Sequence, residues 1–315
     1  MNEVGRMSRR RALGIIGGAA VAGALSPFAA NRAAEGRKRK VLFFTKSSGF
    51  EHDVVKRRGG ELGLAERTLI EVGKKHAFDV TATKDGTIFD GDLSSYDAFF
   101  FYTTGDLLQA GTDKTPPMSA KGKEALLAAI HSGKGFLGSH SASDTFHSPG
   151  KRFETQEKPD PYIAMLGGEF IRHGPQQTAR VRVIDSAFPG QKLAAGGFEI
   201  REEWYSLKNF APDIHVLHVL ETAGMEGLDY KRPPFPLSWA RMHGKGRVFF
   251  TALGHRDVVW TSTLFQAMLV GAVAWCCGDA AAEIPSNLKE AAPGAGVLPP
   301  EREAKAAGSG SGKSK

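Results

Sequence analysis

The stretch KGFLGSHSASDTFHS, residues 134–148, predicts a buried strand that runs directly into a tight polar turn. Lys134 to Leu137 supply the strand, and the small residues of 138–142 supply the turn. In α/β proteins, a turn of this kind at the end of a central strand often holds the nucleophile. Here it holds His140, so the stretch predicts both a central strand and a functional imidazole.

Apolar strands and helices alternate over the residues that precede this stretch. A continuous apolar run at 40–45 predicts the first strand, and residues 78–83 and 96–103 predict two more, of which the last is apolar on both faces, as a central parallel strand is. Helices are predicted from near Gly60 and after the N-cap residue Ser119. Strand–helix–strand units at this spacing imply right-handed crossovers and a parallel sheet.

The residues after about position 178 predict mainly strands. Several apolar or alternating runs occur there, and HGKG at 243–246 is typical of a tight hairpin between the last two. A final helix at 261–277 closes the predicted domain. The sequence therefore predicts an α/β fold with a mainly parallel central sheet and additional antiparallel strands in the C-terminal half.

The chain carries a net charge of +7, but the excess lies in its N-terminal segment. Residues 1–40 hold nine Lys or Arg and two acids, whereas residues 41–280 hold 27 basic and 28 acidic residues. The body of the protein thus has no basic bias, and we expect no nucleic acid among its partners.

Both ends of the chain differ in composition from the body. Arg9 and Arg10 precede a weakly apolar run from Ala12 to Leu25, which is too short to span a membrane well. We predict a twin-arginine signal peptide over residues 1–34, and hence export to the periplasm or the extracellular space; the alternative is an anchor that is never cleaved. Residues 280–315 are rich in Ala, Pro, Gly and Ser, which predicts a disordered tail.

Polar residues gather where the predicted strands end. Ligands of open parallel sheets bind at the carboxyl edge of the strands. Four segments deliver candidates to that edge: His52 after the first strand, Thr104 and Asp106 after the third, His140 and Asp144 after the fourth, and His255 after the last hairpin strand. Two further segments, with His173 and with Glu203 and Tyr205, can join them. This convergence predicts a polar site built from histidines and acids.

The only two cysteines, Cys276 and Cys277, are adjacent in the final predicted helix. Neighbours in a helix point about 100° apart, so neither a disulfide nor a metal site follows from them. Their place far from the turn at His140 excludes covalent thiol chemistry there. A histidine at that turn instead suits a general base whose pKa lies near the working pH, or a metal ligand.

Five motifs, taken in chain order, resemble those of the ThuA-like family, which is associated with trehalose utilisation. They are TTGD (103–106), GFLGSHSASDTFHS (135–148), LGGEFIRH (166–173), EEWY (202–205) and GRVFFTALGHRDVVW (246–260). The resemblance covers about residues 40–278, and it implies a flavodoxin-like three-layer sandwich of the class I glutamine amidotransferase-like type. It also implies a role in sugar metabolism, on 3-keto-glycosides that a partner sugar 3-dehydrogenase makes.

We accordingly predict an exported lyase or hydrolase that acts on 3-keto-glycosides or related disaccharides by general acid–base chemistry. His140 with Asp144 is the predicted base with its orienting partner, and His255 is the predicted acid. Contacts with a small carbohydrate are predicted for His52, Thr104, Asp106, His173, Glu203, Tyr205 and Trp239.

Cofactors and non-catalytic functions stay open at this point. No cofactor is assigned, but a divalent ion (Zn²⁺, Mn²⁺ or Mg²⁺) would have His52, His140, Glu203 and His255 as its ligands, because neutral imidazoles beside a carboxylate suit such an ion. One alternative is a carbohydrate-binding module that stacks sugar rings on Trp204, Tyr205, Trp239 and Trp260. The other is a scaffold protein with a vestigial site.

Overall fold

The computed structural model describes residues 37–301. The predicted signal peptide and the last part of the predicted tail, residues 302–315, lie outside the described residues. Within residues 37–301, no helix combines the length and the apolar character that crossing a bilayer requires.

A nine-stranded sheet forms the centre of the described chain, with half of its strand pairs parallel and half antiparallel. The parallel half contains, in spatial order, β2 (Phe78–Thr83), β1 (Arg39–Phe44), β3 (Ala98–Phe101), β4 (Gly135–Ser139) and β11 (Gly246–Thr251). The antiparallel half continues with β10 (Phe235–His243), β9 (His215–Leu220), β6 (Gln177–Val183) and β7 (Phe198–Glu202). Every residue of β3 is buried, as its continuous apolar sequence predicts.

Helices cover both faces of the parallel half. The helices are α1 (Leu64–Lys75), α2 (Ala120–His131), α3 (Pro161–Leu166), α4 (Asp257–Trp260), α5 (Thr263–Cys276) and α6 (Leu288–Ala291). Two glycines of β4 show how closely they pack: a Cβ on Gly135 would lie 2.9 Å from Cys276 in α5, and one on Gly138 would lie 3.2 Å from Leu166 in α3. Because residues of opposite parity in a strand point to opposite faces, α5 and α3 lie on opposite sides of the sheet. The predicted three-layer α/β fold is confirmed.

A small second sheet takes the end of the segment that the sequence predicts as one long strand at 198–205. The structure divides that segment: β7 ends at Glu202 in the large sheet, and β8 (Tyr205–Lys208) pairs antiparallel with β5 (Glu169–His173). The buried side chain of Trp204 stabilises the chain between the two strands, because its indole donates to the carbonyl of Gln177. Glu203 consequently lies at the point where the chain passes from one sheet to the other.

The C-terminal strap, residues 281–301, corrects the prediction of a disordered tail from residue 280. It carries α6 and packs against the body, with Ala291, Ala292 and Ala295 buried. The side chain of Asn287 bonds both backbone groups of Val216 on β9. Three arginines of the body donate to strap carbonyls: Arg182 to Ala291, Arg232 to Ala295 and Arg172 to Pro300. Composition alone predicts disorder for this Ala-rich segment. It does not show that side chains of the body donate hydrogen bonds to the carbonyl groups of the strap.

Candidate active site

Three imidazoles and one carboxylate converge at the carboxyl edge of the parallel strands. His52, His140, His255 and Glu203 each offer one ligand atom, and these four atoms lie within 4.8 Å of one another. We call these four residues the site cluster. The centroids of the three imidazole rings are 5.0–5.3 Å apart. They come from segments that follow β1, β4, β11 and β7, so strands distant in sequence build the cluster together.

His140 begins the turn that follows β4. Its backbone has φ of 46°, in the left-handed region that non-glycine residues seldom occupy, and its side chain is fully buried. Its Nδ1 lies 3.0 Å from the carbonyl oxygen of Ala252. Because a carbonyl only accepts, Nδ1 carries the proton and a neutral His140 presents the lone pair of Nε2 to the cluster.

His255 is held by the turn that follows β11. Glu202 accepts the backbone N–H groups of Gly254 and His255, both at 2.8 Å. The carbonyl of Gly254 accepts from the hydroxyl of Tyr102 and from the indole of Trp260. Gly254 has φ of 118°, and a Cβ there would lie 2.7 Å from the Ser139 hydroxyl, so the turn requires glycine. These contacts fix the position of the His255 imidazole.

Glu203 is the carboxylate that the histidines share. Its Oε2 lies 3.2 Å from Nδ1 of His255 and 3.5 Å from Nε2 of His140, and its Oε1 lies 3.4 Å from Nδ1 of His173. Burial alone would raise the pKa of Glu203, but the neighbouring imidazoles of His140 and His255 outweigh it and hold that pKa well below its usual value. Burial alone would lower the pKa of His255, but Glu203 outweighs it and raises that pKa.

His52 is a member of the cluster that is almost fully buried. Its Nε2 is 3.3 Å from the hydroxyl of Tyr205, while its Nδ1 is buried and has no hydrogen-bond partner. Burial first, and then the charges of His140 and His255, hold the pKa of His52 well below its usual value. Thr104 shapes the loop that carries His52, because its hydroxyl donates to the carbonyl of Phe50.

The cluster opens to solvent along one rim. His173 is 42% exposed at the side chain, and Phe50 is 68% exposed with its ring edge-on to His52 at 5.0 Å. Beside His173 lies a cleft of about 460 Å³, which is an ordinary size for a ligand site. Its walls are Arg152, Phe153, Phe170, Arg172, His173 and Glu301. A second cleft of about 380 Å³ lies under the strap, and none of the four cluster residues lines it.

Several predicted site residues lie elsewhere. Asp144 does not orient His140; its Oδ1 lies 2.7 Å from Nε2 of His147. Asp106 is exposed and caps its own turn by accepting from the backbone N–H of Leu108. Trp239 is fully buried, and its indole donates to the carbonyl of Leu166 because β10 is covered on that face by α3. The prediction that a sugar contacts Trp239 is therefore wrong. The prediction of stacking on Trp204 and Trp260, which are equally buried, is wrong for the same reason.

The comparison with protein families identifies the chain. A family model described as ThuA, trehalose utilisation, matches residues 40–276. The chain belongs to the ThuA family. Among solved structures, a ThuA-like protein from Bacteroides uniformis is similar over 79% of this chain and 95% of its own, with 20% identity and a TM-score of 0.56. No curated protein matches the chain.

A second solved structure of a ThuA-like protein, from Parabacteroides merdae, is similar over 84% of this chain and 98% of its own. Its identity is 17% and its TM-score is 0.53, so the likeness concerns the fold. The shared ThuA fold places the carboxyl edge of the sheet, and the histidines at that edge are read from this chain alone.

Sequence reasoning missed three contributors to the site of this ThuA protein. Phe50 is a single aromatic residue in a loop, and nothing in the sequence says that it is exposed. Glu202 directly precedes Glu203, and the sequence does not show that its carboxylate accepts from the turn at Gly254 while that of Glu203 contacts the histidines. Gln176, whose amide nitrogen lies 2.8 Å from Nε2 of His255, follows β5 and carried no motif. Its position at a strand end was the one available signal.

Proposed function

We propose that this protein is a carbohydrate-active enzyme, a lyase or hydrolase that acts on 3-keto-glycosides or related disaccharides by proton transfer. The observation that carries the proposal is the site cluster itself, whose Glu203 contacts His173 on the wall of a cleft of ligand size. The family description, trehalose utilisation, supports a sugar as the substrate class. The phenyl ring of Phe50 offers an exposed apolar face on which a sugar ring can pack.

His173 is the group best placed to take a proton from a bulky substrate. Its Nδ1 lies 3.0 Å from the carbonyl oxygen of Gly174, so Nδ1 carries the proton and the neutral ring has its lone pair on Nε2. Within residues 37–301, no group hydrogen-bonds to that Nε2. Glu203 lies 3.4 Å from Nδ1 and stabilises the imidazolium that proton uptake forms. The fully buried His140 has no comparable access, which moves the role of base from His140 to His173.

The proposed reaction is an elimination. Nε2 of His173 removes the C2 proton beside the 3-keto group, and the electron pair passes through the enolate into a C1–C2 double bond as the C1–O glycosidic bond breaks. When no ion occupies the cluster, His255, which is partly exposed and paired with Glu203, donates the proton that the leaving oxygen takes up. Addition of water across the double bond then completes a net hydrolysis.

The non-catalytic alternatives draw less support from the described residues. The tryptophans expected to stack on sugar rings are fully buried, which leaves Phe50 and His173 as the exposed ring surfaces beside the cluster. Three imidazoles around one carboxylate supply the proton donors and acceptors that an elimination needs.

The test uses purified protein with 3-ketotrehalose and with trehalose, and measures released glucose. We expect release from the keto sugar alone, and a rate about 10²–10⁴-fold lower in His173→Gln. His76→Gln, at the exposed end of α1, is the matched control and should keep the full rate. Tight binding of the keto sugar without turnover would select the binding module, and full turnover by His173→Gln would remove His173 as the base.

Export and a supplying partner complete the proposal. We infer that the twin-arginine segment exports the protein and that a sugar 3-dehydrogenase supplies its oxidised substrate. Changing both Arg9 and Arg10 to Lys should leave the precursor in the cytoplasm, as measured by fractionation and immunoblotting. Unimpaired processing of that variant would reject the twin-arginine route and leave the enzymatic proposal untouched.

A further inference from the structure

The ligand atoms of the site cluster have the spacing of a metal coordination shell. Nε2 of His140, Nδ1 of His255 and Oε2 of Glu203 form a triangle with sides of 3.2, 3.3 and 3.5 Å. A tetrahedral ion with bonds of about 2.0–2.1 Å holds its ligands about 3.3–3.4 Å apart. We propose that His52, His140, Glu203 and His255 bind one divalent transition-metal ion, of the class of Zn²⁺, Co²⁺ or Mn²⁺.

The proton on Nδ1 of His140 leaves its Nε2 available to an ion, and the proton that holds Nδ1 of His255 to Glu203 is displaced when an ion binds. His140 donates its Nδ1–H to the carbonyl of Ala252, and a metal-ligating histidine commonly uses its second nitrogen in this way. Its Nε2 then faces Nδ1 of His255 at 3.3 Å, so two imidazole nitrogens point at one place. An ion between them uses both lone pairs.

His52 supplies an independent observation. Its Nδ1 is buried without a hydrogen-bond partner, although most buried polar atoms in folded proteins have one. The ring lies 5.0 Å from that of His140 and 5.3 Å from that of His255, so it stands equally close to both. An imidazole with an unpaired nitrogen at this distance is suited to a fourth ligand.

The ligand set selects the class of ion. Three imidazoles and one carboxylate suit Zn²⁺, Co²⁺, Mn²⁺ and similar ions, whereas Mg²⁺ and Ca²⁺ prefer oxygen ligands. Full burial of His140 also fits a ligand better than a base that must touch a sugar. Such an ion, when bound, supplies a Lewis acid beside a substrate carbonyl.

Gln176, which contacts the far nitrogen of His255, offers a test of Nδ1 of His255 as a metal ligand. Its amide nitrogen lies 2.8 Å from Nε2 of His255, and its amide oxygen accepts from Arg256. When Nδ1 of His255 binds an ion, Nε2 carries a proton and requires an acceptor. A glutamate at position 176 provides an oxygen for His255 and another for Arg256, and a carboxylate behind a histidine strengthens its ligation.

The decisive experiment measures metal binding without substrate. Full-length protein is dialysed against a chelator, and Co²⁺, Zn²⁺, Mn²⁺ or Mg²⁺ is added back while metal content, visible absorption and melting temperature are followed. We expect one Co²⁺ per chain with the absorption bands of a tetrahedral site, and a melting temperature raised by Zn²⁺ and Co²⁺ more than by Mg²⁺. Less than a tenth of an ion per chain and an unchanged melting temperature would overturn the proposal.

Variants locate the ion. His255→Gln and Glu203→Gln should each weaken Co²⁺ binding at least about tenfold, and both positions are partly exposed, so they keep the test open if His140→Ala does not fold. His131→Gln is the matched control, because His131 and His243 form another imidazole pair with ring centroids 5.5 Å apart. Loss of the ion in His131→Gln alone would place it at that pair and reject the site cluster.

Gln176→Glu should raise Co²⁺ affinity, and Gln109→Glu, an exposed residue, is its control. An unchanged or lower affinity in Gln176→Glu would reject Nδ1 of His255 as a ligand. The inference rests on the cluster that the proposed function uses, yet the two fail separately. A protein that binds the ion but does not convert keto sugars refutes the substrate class, and one that converts them but takes up less than a tenth of an ion per chain refutes the ion.

Discussion

Two groups of histidines and acids each take one histidine from the segment that follows strand β4, and they are built differently. In the first, which we call the His147 clamp, one imidazole lies between two carboxylates: Nε2 of His147 is 2.7 Å from Asp144, and Nδ1 is 3.2 Å from Glu169. In the site cluster, three imidazoles surround Glu203. The clamp has a partner for each nitrogen, whereas the cluster leaves Nδ1 of His52 without one. The ratio of imidazoles to carboxylates therefore separates a structural group from one suited to a ligand.

The pKa values of the clamp reflect its complete hydrogen bonding. Burial alone would lower the pKa of His147, but Asp144 and Glu169 outweigh it and raise the pKa to about 9. Burial alone would raise the pKa of Glu169, but His147 and Ser148 outweigh it and lower the pKa to about 2. Both shifts describe one ion pair that stays charged across the physiological range.

The largest expected effect separates the two carboxylates by activity. Glu203→Gln should lower the rate of glucose release from 3-ketotrehalose about 10²–10⁴-fold, because it removes the partner of His173 and His255. Glu169→Gln should keep most of the rate, since Glu169 bonds His147, Ser148 and Asn209 and contacts no member of the cluster. Equal losses in the two variants would erase the distinction between clamp and cluster.

The next effect concerns stability and falls on the clamp. His147→Gln should lower the free energy of unfolding by about 2 kcal/mol near neutral pH, a value reduced for the partial exposure of the imidazole. Because the pKa of His147 is raised on folding, its contribution is fully present below about pH 6.5 and is lost as the pH rises through about 9. Denaturant unfolding of parent and variant from pH 6 to 10 measures this, and the two curves should converge at the alkaline end. A constant difference would contradict the charge-based account.

His218 extends the comparison to an imidazole with no hydrogen-bond partner on either nitrogen. His218 is fully buried without a hydrogen bond, and burial lowers its pKa to about 3. In this pH range the imidazole binds a proton in the unfolded chain but not in the folded chain. The free energy of unfolding therefore falls as the pH drops from about 6.5 toward 3. At pH 5 this amounts to about 2 kcal/mol, which His218→Leu should remove. The difference between parent and variant, measured at pH 7 and pH 5, should change by that amount.

The smallest effect tests a residue that only the sequence places in the site. Asp106→Asn should change neither the glucose-release rate nor the melting temperature appreciably, because the exposed Asp106 bonds only its own turn. A large loss of rate with unchanged stability would return Asp106 to the substrate contacts.

The sequence predicts the parallel half and the edge of the site well. Continuous apolar runs identify β1, β3 and β4 because strands buried on both faces have no polar positions. The rule that ligands meet the carboxyl edge then brings His52, His140 and His255 together without any contact being known. Glu203 follows because its motif ends a predicted strand.

Partners and facing directions are harder to predict, since they depend on contacts between distant residues. Asp144 lies three residues before His147 and four residues after His140, and the structure pairs it with His147. Trp239 sits in a strand whose two faces are both covered, and the sequence does not show that α3 lies over it. The strap shows the same limit, because its hydrogen-bond donors belong to strands about a hundred residues earlier in the chain.

The strap also affects when the protein can finish folding. Domains generally fold from the N-terminal side during synthesis, yet Arg172, Arg182 and Arg232 acquire their carbonyl partners only when the last segment leaves the ribosome. The part of the chain made first carries the proposed export signal, and the part made last completes the packing over β9. An export route that accepts only folded proteins would thus reject chains whose synthesis stops before the strap. Folding of the strap would in this way restrict export to chains that contain it.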